Sequence, residues 1–248
     1  MRVFLFYATF KKELPSWRLT VRIFGKPLRL VISDVDGVIL HLVGFLKNNL
    51  ARTALELGFS IEPIEDYFRD VKAGSRRGHA NLGQGLAEFW PELSLEKSQK
   101  FTQRFRDIEK ESPYPAIDGS VQNITWLHRE GIAVALCTSN DMLTLSYRMY
   151  SIGLDMSLFR VLSTADSIYS KPHPKTLDLV FEKVSIPREH AVYVGDWYPD
   201  LAVARAGQVR FLAVLSGGIP RGAFLREGVP SDHILETFSN IRSLITPD

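Results

Sequence analysis

Asp34 and Asp36 stand two residues apart at the end of an apolar run, Leu30-Val31-Ile32-Ser33-Asp34-Val35-Asp36-Gly37-Val38. The residues before Asp34 have the length and character of a buried strand, and Gly37 frees the backbone to turn at once. In an open parallel α/β sheet, ligands bind off the carboxyl ends of the strands. Two acids held there suit a hard cation together with acid/base work. The plainer alternative is a turn that uses Asp and Gly only as turn formers.

Three further apolar stretches end on polar groups of complementary type. Residues 132–137 lead to Thr138, followed by Ser139, Asn140 and Asp141. Residues 161–162 read as a short strand, and Lys171 follows in the loop behind it, in Ser170-Lys171-Pro172. Residues 191–194 run into Gly195-Asp196, and Asp200 comes four residues later. Each has an ordinary alternative: Thr138 a helix N-cap, Asp200 a first-turn acid favoured by the helix dipole, Lys171 a solvated surface lysine.

The elements that must carry these groups separate into two rhythms. Between residues 44 and 113 the periodicity is helical throughout. Leu46, Leu50, Ala54 and Leu57 share a face that stops at Gly58. Pro63 opens a second helix with Ile64, Phe68 and Val71, a Gly-rich link spans 74–85, and Ser94 caps a helix bearing Phe101, Phe105 and Ile108. From residue 116 onward strands and helices alternate, with Pro174 opening a helix through Leu177, Phe181 and Val184. Such alternation predicts a parallel sheet covered on both faces. The expected fold is therefore α/β and Rossmann-like, with a basic extension at 1–29, a core at 30–43 and 114–248, and an all-helical cap at 44–113.

Composition narrows the setting. The 248 residues carry a formal net charge of +2 and are 45% apolar, enough for a real core and no argument for a nucleic-acid partner. Residues 1–29 hold seven Lys/Arg against Glu13 alone. Three readings compete there: a β-hairpin on the sheet edge, a basic surface arm, or an organelle leader. The single cysteine, Cys137, excludes an internal disulfide and fits a reducing compartment, so a cytoplasmic location is expected. No apolar run approaches the roughly 18 residues of a membrane span. G-x-G-x-x-G and G-x-S-x-G are absent, and the six histidines show no paired zinc spacing.

Order and type of the four polar groups together resemble the haloacid dehalogenase-like phosphohydrolase superfamily, in its phosphoglycolate-phosphatase-like branch. The family's DxDG[TV], Thr/Ser, KPxP and GDxxxD motifs are matched by Asp34-Val35-Asp36-Gly37-Val38, Leu136-Cys137-Thr138, Lys171-Pro172-His173-Pro174 and Gly195-Asp196-Trp197-Tyr198-Pro199-Asp200. The resemblance implies that Asp34 is a nucleophile attacking phosphorus and Asp36 a general acid and base. It implies that Lys171 and the Thr138 hydroxyl steady charge on the transferring oxygens. It implies Mg2+ as cofactor, held by Asp34, the Asp36 main-chain carbonyl and Asp196, with Asp200 ligating through water or orienting Lys171. Ser139 and Asn140 are expected at the substrate. Two departures stand out: His41 replaces an acid that many relatives carry, and Leu46 stands where the family's sugar-phosphate mutases place a hinge histidine. The second favours hydrolysis over phosphoryl return, and Asp36 argues against dehalogenation.

The expected activity is Mg2+-dependent hydrolysis of a small-molecule phosphate ester, such as phosphoglycolate or a sugar phosphate. A phospho-accepting signalling domain or an idle scaffold on the same fold are the alternatives, and oligomeric state is not legible. A basic cluster at 72–79 adds a specificity expectation. Arg76 and Arg77, between Gly74 and Gly78, offer planar forks suited to an anionic tail, against the alternative of a solvated charge pair.

Overall fold

The computed structural model describes residues 21–76, 79 and 82–247. Strand β3 (Leu30–Ser33) is buried at every position and lies at the centre of a six-stranded parallel sheet. Its neighbours are β4 (Ala133–Cys137) on one side and β6 (Ala191–Gly195) on the other. Beyond them lie β5 (Phe159–Ser163), β7 (Arg210–Val214) and β8 (Ile234–Leu235), giving the order β5-β4-β3-β6-β7-β8.

Strand side chains alternate faces, so each strand feeds two cores. Leu30, Ile32, Ala135, Tyr193 and Phe211 pack into one, Val31, Val134, Leu136, Val192 and Leu212 into the other. Helices α5 (Ser120–Arg129) and α6 (Met142–Ser151) cover the second face. Helices α7 (Asp178–Lys183), α8 (Tyr198–Ala206) and α9 (Arg221–Arg226) cover the first. A strand buried on both faces reads as a near-continuous apolar run, which is why β3, β4 and β6 are visible in the sequence.

Between β3 and α5 the chain forms α1 (Val43–Glu56), α2 (Glu62–Ala73), α3 (Leu82–Phe89) and α4 (Leu95–Glu111), with no strand longer than an isolated bridge among the described residues. Leu50, Ala54, Ile64, Val71, Leu86, Phe101 and Phe105 from these helices pack into the first core. Two chain crossings join the helices to the sheet. His41 donates its N–H to Pro115 at 2.9 Å, and Ile117 donates to Ile39 at 2.8 Å.

Three local expectations are corrected. The link over 74–85 is shorter than its glycines suggested, because Gly83 and Gly85 lie inside α3. Gly85, Leu86 and Phe89 supply the helix's buried face. The helix expected from Pro174 begins only at Asp178. The segment before it runs as successive short turns, His173 to Ser170, Thr176 to His173 and Asp178 to Lys175. The end of the basic extension is a hairpin of β1 (Val21–Ile23) and β2 (Lys26–Pro27), but it does not join the edge of the large sheet. It pairs with β9 (Ile245–Pro247) as a separate three-stranded sheet. Residues 1–20 lie outside the described residues, so the arm and leader readings of that stretch do as well.

Candidate active site

Because β4 and β6 flank β3 in parallel register, the residues that follow all three strands emerge side by side. Asp34 leaves β3 with its N–H donated to Val194 at 2.9 Å. Gly37, at φ 79°, turns the chain immediately afterwards, and its N–H closes on Leu40 at 2.7 Å. A Cβ on Gly37 would lie 2.2 Å from Asp196 Oδ2, and one on Gly217 would lie 1.8 Å from the same atom. Neither position can take a side chain without displacing that carboxylate.

Asp34, Asp196 and Asp200 are buried and can bring one carboxylate oxygen each within 4.8 Å of one another. One cation pairs with two of them, Asp34 and Asp200. Lys171 donates from Nζ to Asp34 Oδ1 at 2.8 Å and to Asp200 Oδ1 at 2.7 Å, with its side chain only 3% exposed. Burial alone would lower the ammonium's pKa, but Asp200 and Asp34 outweigh it and hold the proton on. The carboxylates respond in the opposite sense. Burial first, then the charge of Asp200, pushes Asp34 up to about 7 despite Lys171. Burial and the neighbouring Asp34 push Asp196 well above the carboxylate range.

Asp200 is fully engaged. Its Oδ1 also accepts from Tyr193 Oη at 2.8 Å, and its Oδ2 accepts the Trp197 N–H at 3.1 Å. That geometry suits orienting Lys171. Asp196 Oδ1, by contrast, is buried without a partner. An orphaned carboxylate oxygen beside a three-acid, one-base cluster fits a hard divalent cation. The residues that would hold Mg2+ are Asp34, Asp196 and, as the family motif implies, the Asp36 main-chain carbonyl.

Asp36 is less buried than Asp34 and is held by one oxygen. Its Oδ2 accepts from Asn140 Nδ2 at 2.8 Å and Arg148 Nη1 at 2.5 Å, while Oδ1 has no partner. Arg148 also donates to Asn140 Oδ1 at 3.0 Å and to Glu109 Oε1 from Nε at 2.6 Å, and its guanidinium lies 4.8 Å from the Tyr114 ring centre. Burial opposes the Arg148 charge, but Asp36 and Glu109 more than restore it. Burial raises the Glu109 pKa above the usual glutamate value, with Arg148 opposing.

Arg148 and Glu109 lie outside the four sequence motifs, yet the sequence carries a signal for both. Arg148 occupies the buried face of α6 with Leu145 and Met149, and Glu109 continues the Phe101, Phe105 and Ile108 face of α4. A charged residue in an apolar phase is a place to look for a buried partner.

The other expected residues are distributed unevenly. Ser139 and Asn140 line the cavity above Asp34 and Asp36, which measures about 510 Å3. Thr138 is buried and its hydroxyl accepts the Asn140 N–H at 3.2 Å, so it shapes this loop, and it is not among the lining residues. Helix α6 is capped instead by Asp141, which accepts the Thr144 N–H at 2.7 Å. Arg76 is not brought to this cavity. It pairs with Glu88 and approaches Asp70 at 3.8 Å, on a separate depression bounded by Phe59, Pro63 and Trp90. Arg77 lies outside the described residues.

Comparison with known proteins agrees with this geometry. A family model for haloacid dehalogenase-like hydrolases matches residues 28–208. A phosphoglycolate phosphatase of Pseudomonas fluorescens is 29% identical over 229 residues, which cover 89% of this chain and 80% of that protein. The pyrophosphatase PpaX of Oceanobacillus iheyensis is 20% identical over 223 residues, covering 88% and 97%. The fold matches that of a hydrolase from Pseudomonas syringae with a TM-score of 0.67 at 19% identity, over 88% of this chain and 98% of that one. The chain belongs to the haloacid dehalogenase-like hydrolases.

Proposed function

We propose that this chain is a Mg2+-dependent phosphatase that hydrolyses a small phosphate monoester through an aspartyl-phosphate on Asp34. The chain is a phosphoric monoester hydrolase of the haloacid dehalogenase-like type. The observation that carries the mechanism is the pairing at the sheet end. Lys171 pairs with two of three clustered buried carboxylates, Asp34 and Asp200, and the third, Asp196, has an unpartnered oxygen.

Bound there, Mg2+ would supply the positive charge that lets a carboxylate approach a phosphate dianion. Lys171 fixes Asp34 by one oxygen and is itself fixed by Asp200, so the second Asp34 oxygen can face phosphorus. A new bond from that oxygen to phosphorus forms as the bond to the ester oxygen breaks. Asp36, free at Oδ1, gives its proton to the departing alcohol. It then takes a proton from the water that attacks phosphorus, and the bond to Asp34 breaks to release phosphate. Arg148 and Asn140 grip Asp36 Oδ2 throughout, so only Oδ1 exchanges protons.

Helices α1–α4 close the cavity over this chemistry, which supports reading 44–113 as the cap that excludes water and selects the alcohol. No helix among the described residues is long and apolar enough to cross a membrane. The test is phosphate release from 4-nitrophenyl phosphate by the purified chain. Release that needs Mg2+ and stops in EDTA supports the reading; release that persists in chelator removes the metal from it. No release with Mg2+ favours the phospho-accepting or idle alternatives.

A further inference from the structure

The cavity above Asp34 and Asp36 carries its carboxylate cluster and Lys171 at the sheet end, with Arg106 and Glu109 of α4 as the charged groups on the helix side. Towards the helices it is walled by Leu46 and Leu50 of α1, Tyr67 and Phe68 of α2, Phe89 of α3 and Phe105 of α4. Trp197, at the start of α8, faces them from the core side.

The cations that line the same space are already committed. Lys171 is held by Asp34 and Asp200, and Arg148 by Asp36 and Glu109. Arg106 pairs with Asp141 at 2.6 Å. No other Lys or Arg lines it among the described residues. His79 stacks on Tyr67 with ring centres 4.9 Å apart and faces Glu88 at 2.9 Å.

An anionic tail reaching into this space would meet apolar walls, no uncommitted cation among those residues, and the carboxylates of Glu109 and Asp141. Removing a carboxylate from water without a partner is strongly unfavourable. Size points the same way. About 510 Å3 lies within the roughly 300–1,000 Å3 typical of small-molecule sites, far more than a two-carbon acid fills. Aromatic walls of this kind suit another ring, packed edge to face or offset.

We infer that the alcohol part of the substrate is a neutral, apolar, ring-bearing group, seated between α1–α4 and Trp197. This deepens the phosphatase reading of the same site and rests on it. The ester's phosphate is placed by charge, and its alcohol by apolar contact alone.

The experiment compares 2-phenylethyl phosphate, phosphoglycolate and methyl phosphate under Mg2+. All three release unactivated alcohols, so differences in rate report the tail. The kcat/KM for 2-phenylethyl phosphate should exceed that for the other two by about tenfold or more, the scale on which apolar pockets discriminate. Phe68→Arg and Leu46→Arg, both at half-buried positions, each add a cation to the apolar wall. Each should lower kcat/KM on 2-phenylethyl phosphate and raise it on phosphoglycolate.

Phosphoglycolate turned over as well as 2-phenylethyl phosphate by the unmodified chain would overturn the inference and leave the phosphatase reading standing. Equal changes on both esters in both folded variants would overturn it too. No turnover of the three esters while 4-nitrophenyl phosphate is hydrolysed would overturn the inference alone; no turnover of any of the four would remove the phosphatase reading with it.

Discussion

On the sheet side of the cavity every charged group is fixed by a partner or buried in place. Lys171 bridges Asp34 and Asp200, and Arg148 bridges Asp36 and Glu109. On the helix side the wall is mostly leucines and aromatic rings, with Arg106 and Glu109 of α4 as its charged members, and Glu109 reaches Asp36 only through Arg148. The first wall sets geometry to fractions of an ångström through directional, charge-assisted bonds. The second sets shape and excludes water, and tolerates change as long as volume is kept. Catalysis should therefore be sensitive to single atoms at the sheet end, and substrate choice to volume and charge at the helices.

The largest effect is expected from Asp34→Asn. The amide neither attacks phosphorus nor supplies negative charge to a metal, so kcat should fall on the order of 10^4-fold or more, to the limit of detection, with the fold kept. Circular dichroism together with a phosphate-release assay checks this. Asp36→Asn should follow, lowering kcat by about 10^2 to 10^4-fold, because one group serves both proton transfers. Near-full activity in either variant would break the assignment of the sheet end as the reacting wall.

Arg148→Met acts on both walls at once, because Arg148 links them. It leaves Glu109 buried without its partner, which should cost about 3–5 kcal/mol of stability by the usual penalty for a broken buried pair. It also leaves Asp36 held by Asn140 alone, and kcat should fall by roughly 10 to 100-fold with KM little changed. Adding Glu109→Leu should restore much of the stability and none of the kcat. Recovery of both together would make Arg148 a structural residue alone.

The smallest effect concerns pH and metal. The folded Asp34 carboxyl holds its proton up to about 7, against an ordinary 3.8. Between those values the metal-free fold binds more protons than the unfolded chain, so its stability falls as pH rises through the window. Mg2+ needs the ionised carboxylate, so the rise in Tm that it produces should grow as pH increases from 6 to about 8. A Tm increment independent of pH would show that Asp34 is not a ligand.

The two walls were not equally legible in the sequence. The sheet end was, because a buried parallel strand is a continuous apolar run and its last residue is where a ligand sits. Asp34, Asp36, Lys171, Asp196 and Asp200 each follow such a run or a short loop behind one, and the structure gathers them. The helix wall was legible only as helices. Periodicity gives the buried face of α1 or α4 but not which part of that face opens onto a cavity.

Arg76 illustrates the gap. Its neighbours in sequence suggested an anion reader, while its neighbours in space are Glu88 and Asp70. Arg148 is the converse, hidden in an apolar phase and tied to a glutamate 39 positions away. The short edge strands β8 and β9 carry too few residues to show a period. Gly83 and Gly85 read as a link because glycine usually breaks helices, yet both lie inside α3, which its buried Leu86 and Phe89 hold against the core.

Whether Asp34 carries the phosphoryl group can be read by trapping it there. Acid-quenching the chain during steady-state turnover with Mg2+, then reducing with borohydride, converts a phosphorylated aspartate to homoserine. Peptide mass spectrometry should find homoserine at position 34 and at no other aspartate. Homoserine at Asp36 or Asp196 instead, or at no position while phosphate is being released, would contradict the account.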